Sequence, residues 1–301
     1  MSEQTGQAGG TTQVRDRPFM QVDVFSATAL GGNPLAVVLD AEGLSTQTMQ
    51  AFADWTNLSE TTFLLPPDAP SADYRVRIFS PGRELPFAGH PTLGSCFAWL
   101  ASGGRSKGDE WVQQCEAGLI RIRSIGDCLA FAAPPRVRSG PLDAADLDVI
   151  ARGLGIARAD IIAHAWCDNG PRWRAVMLQS AEQVLALTPD AAVLAGLDLG
   201  VVGPRGKVGV LGRYGDGAPP FIEVRAFFSA GGALREDPVT GSLNAAIGQW
   251  LIESGLAPPR YVASQGTALG RAGRIHLERD EAGQVWVGGA CASLIRGTVR
   301  L

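Results

Sequence analysis

The chain has 301 residues, 46% of them hydrophobic, enough to bury a large core in one or two domains. Its 26 basic and 30 acidic residues give a net charge of −4 with no basic or aromatic stripe, which excludes the electrostatic footprint of a nucleic-acid or anionic-membrane binder. Cys96, Cys115, Cys128, Cys167 and Cys291 form no C-x-x-C pair and read as reduced core residues of a cytoplasmic protein, and no apolar run reaches the roughly 18 residues that span a bilayer.

Residues 1–17 are rich in Gly, Gln and Thr and offer little to bury, so a disordered tail is expected there. The run "GGNPLAVVLD" at 31–40 passes from an Asn-containing turn into a strand. Ser45 then caps a helix on which Leu44, Met49, Phe52 and Ala53 share a face. In "WTNLSETTFLL", residues 55–65, Glu60 opens a strand-like apolar run after Asn57 and Ser59. A carboxylate at a strand entrance is partly buried, which raises its pKa toward the range of a general acid or base; a solvated turn residue is the other reading.

At 87–100, "FAGHPTLGSCFAWL" sets His90 directly before Pro91, as at a helix start with His90 as its cap. Leu93, Cys96, Phe97 and Leu100 give that helix a buried face, and Gly103 and Gly104 stop it. Backbone N–H groups at such a start favour an anionic ligand, although a structural cap with a satisfied ring explains His90 equally well. The Pro-rich stretch 132–141 is the candidate linker. "DNGPRWRAVMLQS" at 168–180 again runs from a turn into a strand, and one or two helical turns follow around Pro189. The glycines of 212–220 lack the strand-loop-helix frame of a phosphate loop. The remainder is rich in short β segments.

The chain also resembles itself. Residues 76–100 and 224–251 share a strand, a Gly-containing loop, a polar residue before Pro, Gly-Ser three residues later, and a helix. At an offset of 147 residues, His90 aligns with Asp237, Pro91 with Pro238, Gly94 with Gly241 and Ser95 with Ser242. Strands outnumber helices, so the expected class is α+β with two similar lobes whose helix starts face each other across a crevice.

Four ordered segments carry a resemblance to a known family: Gly32-Asn33-Pro34, Asn57-Leu58-Ser59-Glu60, Phe87-Ala88-Gly89-His90-Pro91 and Glu236-Asp237-Pro238-Val239-Thr240-Gly241-Ser242. From about Met20 to Leu301 the chain resembles the phenazine-biosynthesis PhzF-like proteins. The resemblance implies a diaminopimelate-epimerase-like α+β fold of two pseudo-symmetric lobes, each a mixed, curved sheet or barrel around a central helix, 91–102 or 238–254. The lobes would be 18–131 with 290–301, and 132–289.

It also implies a cofactor-independent isomerase, of the trans-2,3-dihydro-3-hydroxyanthranilate isomerase type, that moves a proton between carbons of a small anionic cyclic or amino-acid-like substrate. Glu60 would be the catalytic acid/base, and His90, Asp237, Ser242, Gly89, Gly241 and Ser59 would bind substrate. A homodimer is a further implication. No metal is expected, because His90, His164 and His276 are far apart in sequence and no Cys/His cluster occurs. A two-thiol epimerase is disfavoured because neither helix start offers a cysteine, and a serine hydrolase because Ser242 lacks the G-x-S-x-G elbow. The alternatives are a non-catalytic binder of a small anionic metabolite and an epimerase or racemase of a related amino acid.

Overall fold

The computed structural model describes residues 14–205, 220–230 and 233–301. The first half of the chain runs β1 (Asp16–Val24), β2 (Asn33–Val38), α1 (Thr46–Thr56), β3 (Glu60–Leu65), β4 (Tyr74–Ser80), β5 (Arg83–Leu85), α2 (Gly89–Ala101), β6 (Trp111–Cys115), β7 (Gly118–Ile125) and β8 (Cys128–Ala132). The second continues with α3 (Ala144–Leu154), β9 (Ala163–Trp166), β10 (Trp173–Met177), α4 (Ala181–Ala186), β11 (Asp198–Pro204), β12 (Ile222–Ala230), β13 (Ala233–Asp237), α5 (Gly241–Glu253), β14 (Arg260–Gln265), β15 (Gly273–Arg279), β16 (Val285–Gly289) and β17 (Cys291–Arg300).

The strands form one mixed, hydrogen-bonded sheet. Its pairing pattern occurs twice. Parallel β2 and β3 are joined through α1, and parallel β4 and β6 through β5 and α2. In the second half parallel β10 and β11 are joined through α4, and parallel β12 and β14 through β13 and α5. The antiparallel ladder of β8 with β16 makes the two sets of strands continuous, and β17 returns to pair with β1.

This topology corrects the internal alignment. The two long central helices begin at Gly89 and Gly241, each after a three-residue connection, 86–88 and 238–240, from a short strand. Gly89 therefore corresponds to Gly241 and His90 to Ser242, an offset of 152 rather than 147. Gly94 and Ser95 lie in the middle of α2, where a Cβ on Gly94 would stand 2.6 Å from Leu35 Cδ2. Their likeness to Gly241-Ser242 is a chance recurrence within a buried helix.

The caps differ from expectation for the same reason. Ala88 is the N-cap of α2 and Thr240 that of α5, so His90 is the second helical residue and Asp237 ends β13. Pro91 is tolerated in third place because first-turn N–H groups have no intrahelical acceptor.

Both helices are apolar nearly all round, as burial requires. Leu93 of α2 and Ile247 of α5 are completely buried in one cluster, each contributing about 2 kcal/mol through the apolar surface it removes from water. The remaining helices are amphipathic covers. Ser45 caps α1 as expected, accepting from Thr48 N, and Asn57 ends it in the left-handed conformation. Ser180 caps α4, which stops before Pro189. Helix α3 was not among the expected elements, although its Asp143 N-cap, Gly155 stop and buried Leu147, Ile150 and Leu154 follow ordinary helix rules.

The expected tail is shorter than 17 residues. Arg17 is buried within β1, and its Nη1 donates to the carbonyls of Asp40 at 2.7 Å and Glu42 at 3.0 Å. Residues 1–13 and the glycines of 212–219 lie outside the described residues.

Candidate functional site

The starts of α2 and α5 meet head to head. A Cβ built on Gly89 would lie 2.8 Å from Gly241 Cα, and one on Gly241 would lie 2.8 Å from Gly89 Cα, so this approach requires glycine on both sides. Two sets of first-turn N–H groups and two positive helix ends thus converge on one place. That place favours an anion.

Beside the junction, Glu60 opens β3 in parallel register with Leu35 of β2. Its side chain is 17% exposed, and Oε2 lies 3.3 Å from His90 Nε2. The two atoms form no hydrogen bond with one another, and neither has another partner among the described residues. Burial, reinforced by the negative charge of Asp237 and opposed by Arg83, pushes the Glu60 pKa up to about 8. Burial lowers His90 to about 3, so its ring is neutral at physiological pH.

Asp237 reaches the junction from the end of β13. Thr240 Oγ1 donates to its Oδ2 at 2.6 Å and Asn33 Nδ2 to its Oδ1 at 3.1 Å. These bonds favour the carboxylate, but burial is the larger effect and raises its pKa to about 6. Gln265 Nε2 holds the Asp237 carbonyl at 3.0 Å and Thr240 Oγ1 at 2.9 Å, while its Oε1 accepts from Thr240 N and Asn244 Nδ2.

Ser242 is the second residue of α5. Its Oγ accepts from Trp173 Nε1 at 3.2 Å and its carbonyl from Asn169 Nδ2 at 2.8 Å. The hydroxyl proton is left to donate elsewhere.

A profile of the phenazine biosynthesis-like PhzC-PhzF family matches residues 22–297. The chain belongs to this family. PhzC-PhzF relatives are named isomerases, and this chain is an enzyme of that class. The chain is 35% identical to "Antisense-enhancing sequence 1" of Schizosaccharomyces pombe over 94% of its own length and 98% of that protein's. It is 30% identical to trans-2,3-dihydro-3-hydroxyanthranilate isomerase of Pseudomonas aeruginosa, covering 88% of this chain and 91% of the relative. The solved structure of a predicted epimerase from Pseudomonas aeruginosa superposes with a TM-score of 0.72 at 28% identity, over 94% of this chain and 99% of the other.

Of the residues singled out by sequence in this family member, Glu60, His90, Asp237, Gly89, Gly241 and Ser242 surround the paired helix starts. Ser59 precedes Glu60, but no hydrogen bond among the described residues ties its side chain to the others. Sequence reasoning missed Trp173 and Asn169, which lie far from Ser242 along the chain, and the Thr240-Gln265-Asn244 network. Asn33 was visible within Gly32-Asn33-Pro34, but nothing in that motif announced a polar contact with the second half.

Proposed function

We propose that this chain is a cofactor-independent isomerase that moves a proton between carbons of a small anionic, cyclic or amino/hydroxy-acid substrate, with Glu60 as general acid and base. The frame would be two lobes, 18–131 with 290–301 and 132–289, each curved around one central helix. The observation that carries the reading is the Glu60-His90 approach of 3.3 Å, buried and unsatisfied, beside two converging helix starts.

The substrate's negative group would sit against the N–H groups of Gly89, Gly241 and Ser242. His90, Asp237 and Ser242 would orient its hydroxyl or amino substituents. A carboxyl raised to about 8 is divided between acid and base forms near neutral pH, so Glu60 suits both halves of a proton shift. It takes a proton from one carbon and returns it to another, leaving substrate and enzyme with the atoms and charge they began with.

Incubation in D2O with trans-2,3-dihydro-3-hydroxyanthranilate and a panel of hydroxylated cyclic and α-amino acids tests this. Deuterium entering at carbon with wild type, and not with Glu60→Gln, is the expected result. Tight binding of an anion with no exchange would make the protein a binder. Exchange confined to one stereocentre with inversion would make it an epimerase, the reading favoured by the raised pKa of a second carboxyl, Asp237.

A further inference from the structure

We infer that Asn33 is a positioning residue that fixes His90 as its Nε2–H tautomer while tying Asp237 to the first half of the chain. Asn33 begins β2 and is completely buried. Its Nδ2 lies 3.1 Å from Asp237 Oδ1, 2.9 Å from the Val239 carbonyl and 3.4 Å from His90 Nδ1.

The first two neighbours are acceptors and can be nothing else for an ionised carboxylate and a carbonyl. Flipping the amide would set Oδ1 against both oxygens, so the amide orientation is determined by its surroundings. The two amide hydrogens are directed at these oxygens, so His90 Nδ1, at 3.4 Å, shares one of them at most and faces a nitrogen that accepts nothing. A proton on Nδ1 would oppose the amide hydrogens, and a neutral imidazole must then carry its proton on Nε2.

The other ring nitrogen faces Glu60 Oε2 at 3.3 Å. One amide thus decides which way the imidazole presents its hydrogen, and places a donor beside the group proposed to move a proton. The consequence for catalysis rests on the isomerase reading, but the tautomer itself does not.

Nitrogen NMR of uniformly 15N-histidine-labelled full-length protein tests the assignment. The chain has three histidines, and the His90→Asn variant identifies the resonances of His90. The expected wild-type result near pH 7 is a protonated-type shift at Nε2 and an unprotonated-type shift at Nδ1. Asn33→Leu removes the donor without setting an oxygen against Asp237 and Val239, and should let the proton populate Nδ1, moving that nitrogen toward the protonated-type shift.

A wild-type His90 protonated on Nδ1 overturns the inference, whatever the variant does. So does a folded Asn33→Leu protein that keeps the wild-type pattern, which would reduce Asn33 to a structural tether. Failure to detect deuterium exchange with any substrate would leave both spectra decisive.

Discussion

His90 Nε2 and Glu60 Oε2 stand 3.3 Å apart, each buried and each without a hydrogen-bond partner among the described residues. In a site built only for stability, one of them would be replaced or satisfied, because an unpaired buried polar group costs about 1–3 kcal/mol.

Glu60→Gln should separate activity from stability. Loss of general acid/base catalysis lowers carbon-proton exchange by roughly 10²- to 10⁴-fold. Stability should move the other way. The folded pKa of about 8 exceeds the unfolded carboxyl value, so the contribution of Glu60 to stability is most favourable at acid pH and declines as the unfolded chain ionises and the folded one does not, until pH passes about 8. An amide has no such penalty, and chemical denaturation at pH 8 should show the variant more stable by up to about 4 kcal/mol.

The pH dependence of exchange should reflect carboxyls and not the imidazole. If the free enzyme begins as a base, kcat/KM rises with pH to a midpoint near 8, from Glu60. His90, held at about 3, contributes no limb near neutrality. Arg83 favours the ionised form of Glu60, so Arg83→Met should move the midpoint upward, and added salt should shrink the difference.

Gly241→Ala tests the helix junction. The added methyl would meet Gly89 backbone at 2.8 Å and cannot be relieved by a rotamer change. Overpacking of this kind costs about 1–3 kcal/mol. Chemical denaturation should show that loss, and exchange activity should fall because the two sets of N–H groups are forced apart.

Trp173→Phe keeps the buried ring but removes the donor to Ser242 Oγ. Losing one such hydrogen bond is worth about 1 kcal/mol. The expected outcome is KM for an anionic substrate raised roughly fivefold with kcat little changed, read from initial rates.

Much of this site was legible where chemistry dictates residue type. A glutamate at a strand entrance and a histidine near a helix start stand out in a single chain, whereas Gly89 and Gly241 entered only through the family resemblance. The helix pairing was misread because Gly94-Ser95 inside α2 imitates the Gly241-Ser242 start of α5, and only strand topology separates them. Trp173 and Gln265 were illegible for another reason. Each acts on a residue remote along the chain, Ser242 or Asp237, through contacts that no local pattern encodes.

The return of β17 to β1 also orders events in time. Val24 pairs with Cys291 and Asp16 with Arg300, so the first strand emerges from the ribosome long before its partner exists. Until that partner arrives, one edge of β1 is bare while the other is paired with β2. Closing a loop of nearly the whole chain is entropically slow, and an open edge invites association with other molecules in the meantime. β1 is therefore flanked on both sides only once β17 has been made and has folded back across almost the whole described chain.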